Sequence, residues 1–261
     1  NEELILLSDE ISDYIHKTIY NIGGHYSSPL GVIELSIALH YVYNTPNDKL
    51  VWDVGHQTYA HKILTGRKKQ FSKIRQFNEL SGFLKIDESE YDCYGAGHSS
   101  TSISAALGFA HARDKNNTKE RVLAIIGDGA MTGGLAYEGL NNAGNSGRDI
   151  LVVLNDNNMS ISPNVGAMSK YFTSISTSPL LNRLRDQLWD ALGKMPRGSR
   201  IAREMVHRME ESIKSIIVPG LLFDELGFRY FGPVDGHDLT ELIHVLRRLK
   251  TIKGPKLLHI I

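Results

Sequence analysis

Residues 123–162 read LAIIGDGAMTGGLAYEGLNNAGNSGRDILVVLNDNNMSIS, and this stretch decides the fold. Residues 123–126 form a short apolar run that stops at Gly127-Asp128-Gly129. Residues 150–154 form a second run, which stops at Asn155-Asp156-Asn157-Asn158. Apolar runs of this length, bounded by turn residues, predict buried strands. Between them Leu135, Leu140 and Ala143 give a modest helical face, so the unit reads as β-α-β with a right-handed crossover. Both strands then run the same way, which brings Asp128 and the Asn residues to one rim of the sheet. That rim is where open α/β sheets bind ligands.

The two loops carry matching chemistry. A hard divalent cation such as Mg²⁺ takes about six oxygen ligands and shares them readily with a phosphate-bearing partner. Asp128 offers a carboxylate, Asn157 an amide oxygen, and a backbone carbonyl just beyond Asn157 a third donor. Gly127 and Gly129 lack the Cβ atoms that would hold a diphosphate off the backbone, and a helix starting near Met131 would aim its N-terminal dipole at the same place. Ordinary turn chemistry is the readier account of an isolated Gly-Asp-Gly or an isolated Asn-rich cluster. The pairing is more specific, because Asn157 follows Asp128 by 29 positions with apolar runs before both.

At 261 residues the chain can bury a large core, and it reads as one domain over residues 1–261, with 163–222 an excursion of loop and helices. Lys plus Arg equals Asp plus Glu at 29 each, so no net basic field recruits nucleic acid or an anionic membrane, and small metabolites are the expected partners. The single Cys93 excludes an internal disulfide framework and fits a reducing compartment. No apolar run approaches the ~18 residues of a membrane span, and Asn1-Glu2-Glu3 does not open a signal peptide. These features predict a soluble cytoplasmic protein.

The flanking sequence predicts further α/β units. Ile11, Ile15, Ile19 and Ile22 make 3–22 an amphipathic helix with His16 on its surface. Ser28-Pro29 starts a second helix, Ser28 as N-cap and Pro29 at the first helical position, with Val32, Leu35, Leu39 and Val42 inward. Residues 50–52 are a buried strand, with Asp53-Val54-Gly55-His56 as its end loop, and a short helix then runs to about Leu64 and is capped by Gly66. The five positive charges of 67–75 read as a solvated helix face near the acidic run 87–92. Residues 94–100, YGAGHSS, form a glycine-serine loop into a helix bearing Ile103, Ala106, Phe109 and Ala110. Its first turn offers either amides to an anion or plain capping by Ser99 and Ser100.

Residues 163–178 lack periodicity and read as a long functional or partly disordered loop. Helices follow at 180–195 and 201–217, the second with Ile201, Met205, Met209, Ile213 and Ile217 as a packing seam. Residues 228–231 read as a strand, 232–237 as its rim loop, 238–250 as a helix with Leu239, Leu242, Leu246 and Leu249 inward, and 256–261 as a last strand. Ending on a buried-looking strand and starting without Met, the chain reads as a domain of a longer polypeptide.

Among the eleven histidines, His25, His56 and His98 each directly follow a glycine in a loop. There the backbone turns sharply and presents imidazole, the side chain best matched to proton transfer near neutral pH, to a cleft. Histidines on helices, such as His40, His111, His207 and His244, read as packing or surface. With one Cys and no ligand pair at metal-site spacing, zinc is not expected.

GDGAMTGGLAYEGLNNAG followed by NDNNMSIS resembles the thiamine-diphosphate fingerprint, and beyond it the 1-deoxy-D-xylulose-5-phosphate synthases, which are transketolase relatives. GGHYSSPLGVIELSIALHYVYNTP, VWDVGHQTYAHKILTGR, GAGHSSTSISAALGFA and FGPVDGHD are similar to motifs of the same family in the same order. The resemblance implies a transketolase-like α/β fold, a mostly parallel sheet flanked by helices on both faces. It implies thiamine diphosphate and Mg²⁺ as cofactors, the metal held by Asp128, Asn157 and the backbone carbonyl of Met159. Gly129, Ala130 and the Gly97-His98-Ser99 loop would line the diphosphate, His56 would contact the cofactor or reacting centre, and His25 would serve proton transfer.

The implied activity is decarboxylation of pyruvate and carboligation to glyceraldehyde 3-phosphate, feeding isoprenoid, thiamine and pyridoxal synthesis. The family also implies a homodimer and further domains, pyrimidine-binding and C-terminal, without which this chain is not expected to turn over. Two other readings stay open here: the diphosphate-binding subunit of a split transketolase, and a non-catalytic cofactor-binding module.

Overall fold

Strands β1 (Lys49–Trp52), β2 (Val122–Gly127), β3 (Leu151–Asn155), β4 (Arg229–Val234) and β5 (Lys256–Ile260) pair in the order β1-β2-β3-β5-β4. Every pair is parallel in the computed structural model, which describes residues 2–157 and 220–261. The helices are α1 (Glu2–Ile22), α2 (Ser27–Leu30), α3 (Ile33–Val42), α4 (Tyr59–Lys62), α5 (Lys68–Phe71), α6 (Ser102–Lys115), α7 (Asp128–Met131), α8 (Gly134–Ser146), α9 (Leu221–Glu225) and α10 (Leu239–Leu249).

Both sheet faces are covered, as an all-parallel sheet requires. Side chains alternate along each strand. Leu50 and Trp52, Leu123 and Ile125, Leu151 and Val153, and Leu258 and Ile260 share one core with α1, α3 and α10. Val51, Val122, Ala124, Ile126, Val152, Leu154 and Leu257 share the other with α6, α8 and α9. Each fully buried Leu or Ile contributes roughly 1.5–3 kcal/mol, so this double burial, more than strand propensity, fixes the register. The helix predicted over 3–22 is α1, and Ile11, Ile15 and Ile19 are buried on it. No helix among the described residues is long and apolar enough to cross a membrane.

Five local readings are corrected. Leu135 is exposed, because α8 starts at Gly134 and presents Ala136, Leu140 and Ala143 to the core. No helix starts at Met131. Asp128 opens the single turn α7, and the chain restarts at Gly134, beside Gly133, whose missing Cβ leaves room for Ser100 Oγ. Ser28 is not an N-cap, since α2 begins at Ser27 after Tyr26, and Pro29 sits inside the first turn, where an amide has no helical acceptor anyway. β4 continues through Gly232-Pro233-Val234 after a register shift, and an edge strand tolerates proline.

The fifth correction concerns residues 67–75, whose first charge is not solvated. Arg67 is buried and holds Asp92 through two bonds of 2.7 and 2.8 Å, beside buried Lys62, which pairs with half-buried Glu88. Arg67 alone of the basic run is tied to the acidic run, and Lys68, Lys69, Lys73 and Arg75 are exposed, as a solvated face requires. The predicted loop 163–178 and the helices 180–195 and 201–217 lie outside the described residues, as does Met159.

Candidate active site

The loop after β1, the segment 94–100 that leads into α6 and the turn after β2 are stitched together. Asp53, 1 % exposed, follows β1 and accepts the amides of Ser100 at 2.7 Å and Ser102 at 3.0 Å. Gly97 N donates to Val54 O at 3.2 Å, tying the His98 loop to the His56 loop. Ser100 Oγ donates to Ala130 O at 2.7 Å, tying both to the Gly-Asp-Gly turn. Val54, Gly97 and Ser100 all adopt positive φ. Neither alternative for the start of α6 is therefore met in full. A carboxylate from another strand, not Ser99 or Ser100, satisfies the first amides, and those amides are not free for an anion. Gly97, His98 and Ser99 themselves are exposed, and Cβ atoms added at Gly97 or Gly127 would meet open space or nothing nearer than 4.0 Å.

Asp128 and Asn157 sit at the ends of the adjacent parallel strands β2 and β3, whose register pairs Gly127 with Asn155. Asp128 is 4 % exposed, whereas Asn157 is exposed. Burial and then the neighbouring Asp156 carboxylate, which hydrogen-bonds to it, push the Asp128 carboxyl up to about 7. Two adjoining buried carboxylates are a poor arrangement for a protein alone and a good one beside a cation. Among the described residues no three His, Cys, Asp or Glu side chains are grouped to hold a metal ion. The donor set therefore suits a hard cation completed by neutral oxygens, such as the Asn157 amide and main-chain carbonyls, together with a phosphate.

The glycine-following histidines divide. The rings of His25 and His56 meet edge to face at 5.3 Å, and Phe83 packs at 5.4 Å on His25. The His25 amide donates to Tyr59 Oη at 3.3 Å, and Arg75 Nη1 lies 3.4 Å from His25 Nδ1. Burial, then the Arg75 charge, lowers the His25 pKa; burial, then His25, lowers His56 to about 4. Both rings are neutral at neutral pH and serve as hydrogen-bonding groups more readily than as acids. His56 Nδ1 is buried without a hydrogen-bond partner among the described residues, a group placed to receive something the chain itself does not supply.

Sequence reasoning missed Asp53, Asp156, His259 and Tyr230. Asp53 and Asp156 follow strands by one residue, and His259 lies two residues beyond Leu257 on the same face. Strand parity alone could have placed all three inside.

The model of the 1-deoxy-D-xylulose-5-phosphate synthase family matches residues 1–261. The chain is 52 % identical over 260 residues to a 1-deoxy-D-xylulose-5-phosphate synthase of Alkaliphilus oremlandii, covering 100 % of this chain and 42 % of that protein. It is 55 % identical to one of Cellvibrio japonicus, covering 100 % and 40 %. The chain thus spans about two-fifths of the length of these curated relatives. Among solved structures, a transketolase from Campylobacter jejuni aligns with TM-score 0.70 at 18 % identity, over 100 % of this chain and 37 % of that one. A transketolase from Leishmania mexicana aligns with TM-score 0.67, also at 18 % identity, over 98 % and 36 %. These likenesses establish a transketolase-like α/β fold, and the chain belongs to the 1-deoxy-D-xylulose-5-phosphate synthase family.

Proposed function

We propose that this chain is the diphosphate- and metal-binding part of a 1-deoxy-D-xylulose-5-phosphate synthase, a transketolase-class transferase that joins pyruvate, with loss of carbon dioxide, to glyceraldehyde 3-phosphate. The observation that carries the reading is the buried Asp128 beside Asp156 at the end of β2, one strand from Asn157, in a chain more than 50 % identical to proteins of that name. The contrast with transketolases at 18 % identity favours pyruvate over a ketose phosphate as donor. A pocket kept only for storage would not need the paired neutral imidazoles His25 and His56.

Asp128, Asn157 and the carbonyl of Met159 would hold Mg²⁺, while Gly129, Ala130 and the Gly97-His98-Ser99 loop would line the diphosphate. When bound, thiamine diphosphate supplies a carbon nucleophile and an electron sink for the decarboxylation and the new carbon–carbon bond. The chain's own residues orient and exchange protons. His56, with its unpartnered Nδ1, would receive a polar atom at the reacting centre, and His25, held by Tyr59 and flanked by Arg75, would pass a proton to or from the substrate. Asp53 fixes the distance between these rings and the diphosphate loop by tying their backbones together.

The relatives are longer, so the groups that bind the cofactor's pyrimidine and the aldehyde's phosphate would reside in their remaining length. A cytoplasmic homodimer belongs to the same reading. The test is an assay of pyruvate consumption with glyceraldehyde 3-phosphate. The full-length polypeptide turns over, and residues 1–261 alone do not. Equal activity of the short chain, or use of a ketose phosphate in place of pyruvate, would refute the reading.

A further inference from the structure

Four polar side chains cross four neighbouring strands on the α6/α8/α9 face, just above the apolar core. Asp128 follows Ile126 at the end of β2, Asp156 follows Leu154 at the end of β3, His259 follows Leu257 on β5, and Tyr230 lies on the edge strand β4. Their contacts form a continuous line. Asp156 hydrogen-bonds Asp128, His259 Nε2 meets Asp156 Oδ2 at 3.0 Å, and Tyr230 Oη meets His259 Nδ1 at 2.7 Å. Phe223 of α9 stacks on the Tyr230 ring at 6.0 Å and 6°, closing the outer end.

The line is built, not incidental. Asp156 is 2 % exposed and His259 0 %. The Asp156 amide is fixed by Ile260 O at 2.8 Å, and Gly232 leaves its Cβ position to His259, whose carbonyl oxygen would lie 2.4 Å from an added Cβ. A buried ring nitrogen left without a partner is costly, and here a carboxylate meets one nitrogen of His259 and a phenol the other. Nε2–H donates to Asp156 and Nδ1 meets the Tyr230 hydroxyl, which fixes the tilt of the ring. Groups of this kind behind a ligand orient it and set its affinity for the cation.

We propose that Tyr230, His259 and Asp156 are positioning residues that aim the Asp128 carboxylate at the cation and set how tightly that cation is held. The inference rests on the reading of Asp128 as a metal ligand. Its distinctive part is the Nε2–H of His259. In His259→Gln the side-chain amide can still reach Asp156 from the same direction, whereas His259→Asn is too short to do so.

The test is Mn²⁺ titration of the full-length polypeptide with saturating thiamine diphosphate, free Mn²⁺ being read by electron paramagnetic resonance. Melting of the cation-free proteins serves as the folding control. His259→Asn and Asp156→Asn should weaken Mn²⁺ by about 10- to 100-fold. His259→Gln should stay within about threefold of wild type, and Tyr230→Phe should fall between. Unchanged Mn²⁺ affinity in His259→Asn would overturn the proposal, and so would equal weakening by His259→Asn and His259→Gln, which would mark lost packing and not a lost donor. Wild type that takes up no Mn²⁺ at this site would instead overturn the metal reading beneath it.

Discussion

Replacing Asp128 by Asn should stabilise the cation-free protein while abolishing its use of a cation. The carboxyl titrates near 7 in the fold, raised by burial and by Asp156, against about 3.9 in an unfolded chain. Between those values the folded state keeps a proton that the unfolded chain has released. The stability tied to that proton is full below about pH 4 and is lost as pH rises through 7. Three pK units correspond to about 4 kcal/mol as an upper bound, and screening at the sheet rim cuts this to about 2 kcal/mol. Asn has the same size, carries no charge and can still hydrogen-bond Asp156. With chelator present, the variant should therefore melt several degrees above wild type at pH 8, and the gap should shrink below pH 7 and close near pH 4. Adding Mg²⁺ and thiamine diphosphate should reverse the order at pH 8, because only wild type gains binding energy. A variant no more stable than wild type at pH 8 would refute the argument that two carboxylates oppose each other there.

Other outcomes follow from the same structure. Gly144→Ala would place a Cβ 1.7 Å from Leu226 O, a main-chain atom, so urea unfolding should show a loss of about 3 kcal/mol. Gly108→Ala, with nothing within 4 Å and inside α6, should gain about 0.5–1 kcal/mol instead. Asp92→Asn leaves Arg67 buried without its carboxylate and should cost about 3–5 kcal/mol in the same assay. His56, lowered to about 4, should show no imidazole titration by NMR between pH 5.5 and 8 in the cofactor-free protein. Because the unfolded chain takes up that proton first, the fold is fully stable in this respect above about pH 6.5 and loses stability as pH falls toward 4.

The central β-α-β unit could be read directly, because residues 123–126 and 150–154 are apolar runs bounded by turn residues and buried on both faces. Periodicity found α1 and α10 for the same reason, as Ile11, Ile15 and Ile19, or Leu239, Leu242, Leu246 and Leu249, have one face to bury. Helix starts were less visible. The break between α7 and α8 depends on Ser100 Oγ arriving against Gly133 from a segment 33 positions earlier, which local spacing does not encode. The charge of Arg67 looked solvated because its partner, Asp92, meets it only in three dimensions. The same holds for the site. Asp128, Asn157 and the glycine-following histidines were marked by local context, whereas Asp53 and the Tyr230–His259–Asp156 line exist only because four strands are neighbours.

The account stands on a cation shared by the ends of β2 and β3. Crystals of the full-length polypeptide grown with Mn²⁺ and thiamine diphosphate should show an anomalous peak within bonding distance of an Asp128 carboxylate oxygen, the Asn157 amide oxygen and a diphosphate oxygen. A peak that avoids Asp128 and Asn157, or an ordered diphosphate at these loops with no metal beside it, would contradict the account.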